Sequence, residues 1–289
     1  MATRQKAGSS KKPKSRAPAK KKAADRADPF VLYQESVQAP AVDTRFFDRI
    51  FNETFGKSPL ALREDFSGTG ALCAEWVRSH PERTAVGIDL DEPTLEWGRK
   101  HNLALLSKEA KARARLVQAD VRFSDEGDVD IICAQNFSYC VFSERAELRR
   151  YFLAAYEGLR NPGLFVTDLF GGYESLEDER EETTIHDGFE YVWEQHRYDP
   201  ITAEGIYKIH FRFPDGSALE DAFVYDWRLW TIPEIREVML EVGFDRADVY
   251  WEDEDPVSGE GMGTYSKKEQ GTCDPSWNAY IVGVKGLLA

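Results

Sequence analysis

Cysteines are few in this 289-residue sequence, and their spacing fits neither a disulfide framework nor a zinc site. Cys73, Cys133, Cys140 and Cys273 form no CxxC pair, and three of them lie in apolar segments, which favours buried thiols in a reducing cytosol. No apolar run approaches the roughly 18 residues needed to span a bilayer, and the N-terminus has no apolar signal core. These absences predict a cytoplasmic protein with no membrane span and no metal site.

Positive charge is scarce outside the first 28 residues. The net charge is −14, but residues 1–28 carry ten Lys and Arg against two Asp, which leaves the rest of the chain at −22. Such an acidic body repels phosphate backbones, so nucleic-acid binding is expected only through the N-terminal segment. Residues 1–28 are predicted to be a disordered basic tail; a nucleic-acid anchor or, in a eukaryote, a nuclear address are alternatives.

Residues 29–289 have the pattern of one α/β domain. Helical spacing of apolar residues over residues 30–55 predicts one or two leading helices. Strands and helices then alternate, which predicts a parallel sheet with helices on both faces. The predicted strands are 60–66, 84–90, 114–119, 129–134 and 163–170. The predicted helices are 70–79, 92–106 capped by Asp91, and 144–159 capped by Ser143.

The pattern changes after the fifth strand. The acidic stretch 174–182 is interpreted as a solvated loop, and alternating apolar residues then predict an antiparallel β insertion over about 184–230. Thr231 and Glu234 form a predicted capping box for a last helix that ends at Gly243. Strands at 246–251 and 277–284 close the chain.

A glycine loop follows the first strand and opens a helix. Glycines in the segment SGTGALC, residues 67–73, let a ligand approach the backbone at a helix N-terminus. Asp89 ends the second strand, nineteen residues after Gly70, where its carboxylate can accept ribose hydroxyls. Asp120 ends the third strand, where it can meet an adenine amino group. Together these features predict a nucleoside site, although each Asp alone also suits a helix cap or turn.

Two features distinguish the candidate nucleosides. A dinucleotide loop has the pattern GxGxxG, whereas this chain has Cys73 at the third glycine position. The first strand also ends in Glu64 and Asp65, which are unfavourable beside a pyrophosphate but favourable beside a cationic sulfonium and α-ammonium. The charges therefore favour S-adenosylmethionine over NAD.

The segment from Leu60 to Gly171 resembles the class I S-adenosylmethionine-dependent methyltransferases. LREDFSGTG is similar to their first motif, VGIDLD to the second-strand acidic motif and QADVRF to the adenine-side motif. VDIICAQNFSYCVF and GLFVTDLFGG are similar to the fourth- and fifth-strand motifs, and the resemblance extends over Tyr33 to Lys285. It departs from the family at Phe66, where glycine is usual.

The resemblance implies a Rossmann-like seven-stranded, mostly parallel sheet with helices on both faces and an antiparallel β insertion before the last helix. It also implies a set of cofactor contacts, and in its register Glu64 takes the acidic position of the first strand. The expected cofactor contacts are Arg63, Glu64, Asp65, Ser67, Gly68, Gly70, Asp89, Leu90, Asp120, Val121, Asn136 and Phe137. For Arg63, pairing with the methionine carboxylate and a salt bridge to Glu64 or Asp65 remain alternatives.

Methyl transfer from a sulfonium is an in-line displacement that needs alignment more than acid–base chemistry. The end of the fourth strand is expected to face the methyl group, with Asn136 and Tyr139 holding the acceptor. Tyr33, in the leading helix, is predicted to contact the substrate as part of a lid. His186, His196 and His210 are interpreted as surface or packing residues.

The acidic body favours a small-molecule N or O acceptor, and the aromatics of the insertion either line its pocket or form a separate core. A nucleic-acid or protein methyltransferase anchored by the tail is the alternative. An NAD-dependent oxidoreductase and a non-catalytic S-adenosylmethionine-binding protein are alternatives of another class.

Overall fold

The computed structural model describes residues 21–255, 259 and 261–286. Most of the predicted basic tail, residues 1–20, lies outside the described residues. The helices are α1 (Pro29–Val37), α2 (Pro40–Phe55), α3 (Ala71–Ser79), α4 (Glu92–His101), α5 (Lys108–Lys111), α6 (Arg145–Gly158) and α7 (Ile232–Val242).

Twelve strands form two sheets in the described part of the chain. They are β1 (Ala61–Asp65), β2 (Thr84–Asp89), β3 (Ala114–Gln118), β4 (Val129–Ala134), β5 (Leu159–Gly171), β6 (Arg180–His186), β7 (Phe189–Asp199), β8 (Glu204–Arg212), β9 (Ala218–Arg228), β10 (Arg246–Glu254), β11 (Gly261–Lys267) and β12 (Trp277–Lys285).

The larger sheet has the order β11-β10-β12-β5-β4-β1-β2-β3. Strands β1 to β5 pair in parallel, and β12 runs antiparallel between β5 and β10. This arrangement confirms the predicted fold class, including the reversed strand near the C-terminus. The short edge strand β11 is an addition to the seven predicted strands.

Local sequence signals account for most helix ends. The Asp91 carboxylate accepts from the Thr94 backbone N–H at 3.0 Å and caps α4 as predicted. The capping box at Thr231 and Glu234 is present, and Gly243 ends α7 in the left-handed conformation. The prediction for Ser143 was wrong: α6 begins one residue later than a Ser143 cap requires, with Glu144 at the cap and no side-chain hydrogen bond there.

The insertion is an antiparallel sheet in the order β6-β7-β8-β9. Its first strand begins at Arg180, four residues before the predicted start and inside the acidic stretch interpreted as a loop. An edge strand exposes most of its side chains, so β6 holds its charged residues while its backbone pairs with β7. The β8–β9 turn is closed by Gly216, which has a φ of 74°.

Apolar cores cover both faces of the larger sheet. One core packs α2 and α3 against it, and the other joins α6 and α7 to aromatic residues of the insertion, including Trp227. A third, smaller core packs Leu32 of α1 against Ile209 and Phe211. Helix α1 is therefore held by the insertion, and it lies over the carboxyl ends of the parallel strands.

The capping box of α7 predicts a measurable loss of stability in Thr231→Ala. The Thr231 hydroxyl accepts from the Glu234 N–H, and the Glu234 carboxylate accepts from the Thr231 N–H at 2.9 Å. We expect the free energy of unfolding in urea to fall by about 1 kcal/mol. Ser143→Ala is the control and should change it by less than about 0.5 kcal/mol, because Ser143 caps no helix. Equal losses would contradict the assignment.

Candidate functional site

The loop between β1 and α3 has an unusual backbone. Phe66, Gly68 and Gly70 have φ angles of 57°, 51° and 64°. A side chain at Gly70 would meet Leu116, since an added Cβ would lie 2.5 Å from the Leu116 Cδ2. Of these three residues, Phe66 has the least favourable backbone conformation, because a bulky residue seldom adopts positive φ. The centroid of its ring lies 5.5 Å from that of Tyr151, and this aromatic contact offsets part of the conformational free energy.

Three cavities that the described residues form at this edge of the sheet bear on the site, and the first lies beyond the loop, at the ends of β2 and β3. It has a volume of about 500 Å³ and is lined by Phe66, Asp89, Leu90, Ala119, Asp120, Val121, Arg122, Ser138, Val141, Phe142, Tyr225 and Trp227. We call it the Asp89 cavity. It brings together four of the predicted cofactor contacts, and its lining is largely apolar.

Backbone groups orient the Asp89 carboxylate. Its oxygens accept from the N–H groups of Gly68 at 2.8 Å and Asp91 at 2.9 Å. A carboxylate offers about four acceptor positions, so two remain for a ligand. Asp120 is differently placed, because the Arg122 guanidinium binds its carboxylate and lowers its pKa. Arg122 also contacts Glu147, so Asp120 belongs to a surface ion-pair network as well as to the cavity wall.

The second cavity, which we call the acidic cavity, lies at the ends of β1, β4 and β5. It has a volume of about 420 Å³, and three carboxylates line it: Asp43 from α2, Glu64 from β1 and Asp168 from β5. Burial raises the pKa of Asp43 to about 6, that of Asp168 to about 7 and that of Glu64 to about 8. The negative charge of Asp43 adds to the increase at Glu64 and Asp168.

Asp168 also holds the turn that follows β4. Its carboxylate oxygens accept from the N–H groups of Asn136 at 2.7 Å and Phe137 at 2.9 Å. Both of these residues have positive φ, at 55° and 58°. Asn136 and Phe137 line the acidic cavity and the third cavity, so the turn separates the two.

The third cavity lies between α1, the turn after β4 and the insertion. It has a volume of about 210 Å³, and we call it the aromatic cavity after its seven aromatic lining residues: Tyr33, Phe137, Phe170, Tyr191, Trp193, Tyr225 and Trp227. Tyr225 and Trp227 also line the Asp89 cavity. The three cavities are therefore neighbours around Phe137 and Trp227.

Helix α1 forms one wall of this site. The Tyr33 side chain is hydrogen-bonded to Tyr225, and burial raises the pKa of Tyr33 to about 12. The Gln34 amide donates to the Thr69 hydroxyl in the glycine loop at 2.6 Å. Tyr33 therefore lines the aromatic cavity, its role as a substrate contact stays a prediction, and Gln34 adds a contact to the loop.

Six predicted site residues line none of these cavities: Arg63, Asp65, Ser67, Gly68, Gly70 and Tyr139. Arg63 and Asp65 are buried and paired with each other, with 2.6 Å between the Arg63 Nε and the Asp65 Oδ1. Of the two alternatives for Arg63, the structure has the salt bridge. Tyr139 lies in the core, and its hydroxyl donates to the Asp168 carbonyl oxygen at 2.9 Å, so we correct its predicted role as an acceptor contact. The Ser67 hydroxyl is buried and has no partner among the described residues.

Two of the three acidic-cavity carboxylates, Asp43 and Asp168, are not among the residues predicted from the sequence. Asp168 carries a signal, since it is a lone charge in the apolar run GLFVTDLF. Asp43 carries none, because it lies on a leading helix that reaches the site only through tertiary packing.

The three histidines of the insertion, His186, His196 and His210, line none of the three cavities. His186 stacks on Phe189, and His196 pairs with Glu194. Among the described residues, Glu194, His210 and Asp221 have a spacing that a metal could use. Both His210 ring nitrogens are already bonded, however, to the Glu194 carboxylate at 2.7 Å and to the Asp221 N–H at 2.8 Å.

Among the described residues, no helix combines the length and apolarity that crossing a membrane requires. No family model matches the chain, and no curated protein matches it by sequence.

In three dimensions the chain is similar to solved methyltransferases. An S-adenosylmethionine-dependent methyltransferase from Clostridium acetobutylicum matches with a TM-score of 0.60 and 18% identity, over 89% of this chain and 98% of that one. The sugar N-methyltransferase KedS8 from Streptoalloteichus matches with a TM-score of 0.58 and 17% identity, over 96% of this chain and 98% of that one. CalS10, an amino pentose methyltransferase from Micromonospora echinaspora, matches with a TM-score of 0.61 and 14% identity, over 89% of this chain and 95% of that one. The chain therefore has the fold of the class I S-adenosylmethionine-dependent methyltransferases.

The buried Glu64 predicts a stability that depends on pH. Its pKa rises from 4.5 to about 8 on folding, so between these values the native protein keeps a proton that the unfolded chain has lost. Glu64 therefore costs more stability as the pH rises through this window. Glu64→Gln retains an acceptor for the Cys73 N–H and should stabilise the ligand-free protein at pH 8 by about 1 kcal/mol or more.

Urea unfolding at pH 5 and pH 8 measures this effect, and the difference should shrink at the lower pH. Glu82→Gln is the matched control, because Glu82 is exposed and makes no ion pair among the described residues. A gain in stability that is the same at both pH values would contradict the account.

Proposed function

We propose that the protein transfers a methyl group from S-adenosylmethionine to a small-molecule N or O acceptor. The observation that carries this proposal is the acidic cavity, where Asp43, Glu64 and Asp168 converge next to a cavity suited to a nucleoside. A cationic ligand compensates the cost of burying these charges. The pyrophosphate of NAD would instead add like charge beside three carboxylates.

The residues of the Asp89 cavity fit an adenosine group. The two free acceptor positions of Asp89 suit the ribose hydroxyls. Phe66, Val121 and Phe142 provide apolar walls for a planar base, and Leu90 lies at the exposed rim. In the adjoining acidic cavity, Glu64 and its neighbours suit the α-ammonium and the sulfonium.

S-adenosylmethionine supplies an electrophilic methyl group attached to a cationic sulfur. The protein's contribution is to align the acceptor with it and to exclude water. Asn136 and Phe137 are placed for this task, because they lie between the acidic and the aromatic cavities. Asp168 keeps both residues in position through their backbone N–H groups.

The aromatic cavity supports a small acceptor. Its volume of about 210 Å³ suits a small molecule, and α1 and the insertion enclose it. The sugar methyltransferases with this fold give the same indication, as KedS8 and CalS10 act on sugars. If the acceptor were instead a macromolecule held by the basic tail, deletion of residues 1–20 would abolish the methyltransferase activity.

Ligand-dependent thermal stability tests the identity of the cofactor. S-adenosylmethionine and its demethylated product, S-adenosylhomocysteine, should raise the melting temperature, because a ligand at about 100 times its Kd contributes ~2.7 kcal/mol. Asp89→Ala should abolish the shift by removing the ribose contact, whereas Asp125→Ala, at an exposed position, should retain it. Stabilisation by NAD alone would instead identify an oxidoreductase, and binding without turnover on any acceptor would indicate a non-catalytic protein.

The raised pKa values predict that cofactor affinity depends on pH. A cationic ligand binds the ionised carboxylates, whose pKa values are about 6, 7 and 8 in the ligand-free site. Affinity for S-adenosylmethionine should therefore fall as the pH is lowered from 8 to 6, and binding at pH 7 should release protons. Calorimetry in two buffers of different ionisation enthalpy measures this release.

Adenosine is the control ligand, since it lacks both the ammonium and the sulfonium. Its affinity should vary little over the same range of pH. Equal pH dependence for the two ligands would show that the acidic cavity does not hold the cationic end.

A further inference from the structure

The aromatic cavity also carries charge. Glu174 and Glu182 line it, and Arg180 is the one cation among its described lining residues. The Arg180 Nη2 lies 2.5 Å from the Glu174 Oε2 and 2.7 Å from the Glu182 Oε1. Glu177, outside the cavity, also pairs with Arg180 at 3.7 Å, so the lining of the cavity has two carboxylates and one guanidinium that is shared further.

The carboxylate charge continues into the neighbouring site. Asn136, Phe137 and Asn278 line both the aromatic and the acidic cavity, so Asp43, Glu64 and Asp168 lie close behind them. Burial is the main cause of the raised pKa values of Tyr33 and Tyr191, and the charges of Asp168 and Glu182 add to the first and the second respectively. Both tyrosines line the aromatic cavity, so carboxylate charge acts on its walls from two sides.

The aromatic residues add a second attraction for cations. Tyr225 and Trp227 stack with ring centroids 4.3 Å apart, and the Trp193 ring lies 6.2 Å from that of Trp227. Electron-rich aromatic faces attract ammonium groups, and tryptophan does so most strongly. Aromatic residues alone would equally suit a neutral ring or sugar. Their combination with excess carboxylate favours a positively charged guest.

We propose that the methyl acceptor is a small amine that is cationic in solution and binds in the aromatic cavity. This inference rests on the proposed function, and it selects nitrogen over oxygen as the acceptor atom. Trp193, Tyr225 and Trp227 surround the amino group, and Glu174 and Glu182 hold its charge. Ser175, Gln195 and Ser276 offer hydrogen bonds to the rest of the molecule.

The reaction balances with one proton released. The ammonium first loses one proton to water, which leaves the nitrogen lone pair free to react. The nitrogen lone pair then forms the bond to the methyl carbon while the carbon–sulfur bond breaks, and its electrons remain on sulfur. The product is a methylated ammonium, which keeps the positive charge that the cavity attracts.

Three probes of one shape and different charge test this selection. They are choline, its neutral analogue 3,3-dimethylbutan-1-ol and the anion 3,3-dimethylbutanoate. Binding is followed by tryptophan fluorescence with S-adenosylhomocysteine present in excess, so that the acidic cavity is filled. Choline should bind about tenfold more tightly than the neutral probe, and the anion most weakly. The proposal is overturned if the neutral probe or the anion binds as well as choline, or if none of the three binds.

Two conservative variants locate the cation. Glu182→Gln and Glu174→Gln should each weaken choline binding by about fivefold and leave the neutral probe unchanged. Glu181→Gln is the matched control, because Glu181 is the next residue of β6 but pairs with Arg212 away from the cavity. Choline binding that neither cavity variant weakens would place the cation elsewhere and refute the proposal.

The two proposals fail in distinguishable ways. A missing thermal shift with S-adenosylhomocysteine would reject the donor site. The probes would then be compared without it, in a Glu64→Gln background that weakens cation binding in the acidic cavity. Normal donor binding with no preference for choline would reject only the amine acceptor.

Discussion

The Asp168 carboxylate makes the interaction on which the site depends. It binds two consecutive backbone N–H groups, at Asn136 and Phe137, and so supports two residues in a conformation that non-glycine residues rarely adopt. The turn it supports separates the acidic from the aromatic cavity and directs the chain into the buried turn that contains Tyr139. A charge buried in the fifth strand thus shapes the boundary between the two candidate substrate sites.

The features that the sequence predicts well are those with local causes. Strand β4 has the predicted bounds because all six residues are buried and flanked by turns, and the capping box of α7 needs only Thr231 and Glu234. The predictions fail where the local sequence pattern does not determine which way a side chain points. Strand β1 is buried throughout, so alternation does not show that Glu64 faces the cavity while Arg63 and Asp65 pair elsewhere. Asp43 reaches the site from α2, a relation that no short-range pattern contains.

The acidic cavity shows how function and stability oppose each other here. Burial raises the pKa values of three carboxylates in this cavity. The burial of their charges lowers the stability of the ligand-free protein. Such local costs concentrate at binding sites, because the ligand that relieves them gains affinity from the relief. The left-handed Phe66, packed against Tyr151, is a second cost at the same edge of the sheet.

Helix α1 belongs to both halves of the site. It contacts the glycine loop through Gln34 and the wall of the aromatic cavity through Tyr33, while Trp97 of α4 donates to Asp28 at its N-terminus. Under the proposed function, a perturbation of this helix acts on the donor and the acceptor at once. In steady-state kinetics, we then expect a substitution in α1 to change the Michaelis constants of both substrates together, including that of the ligand it does not touch.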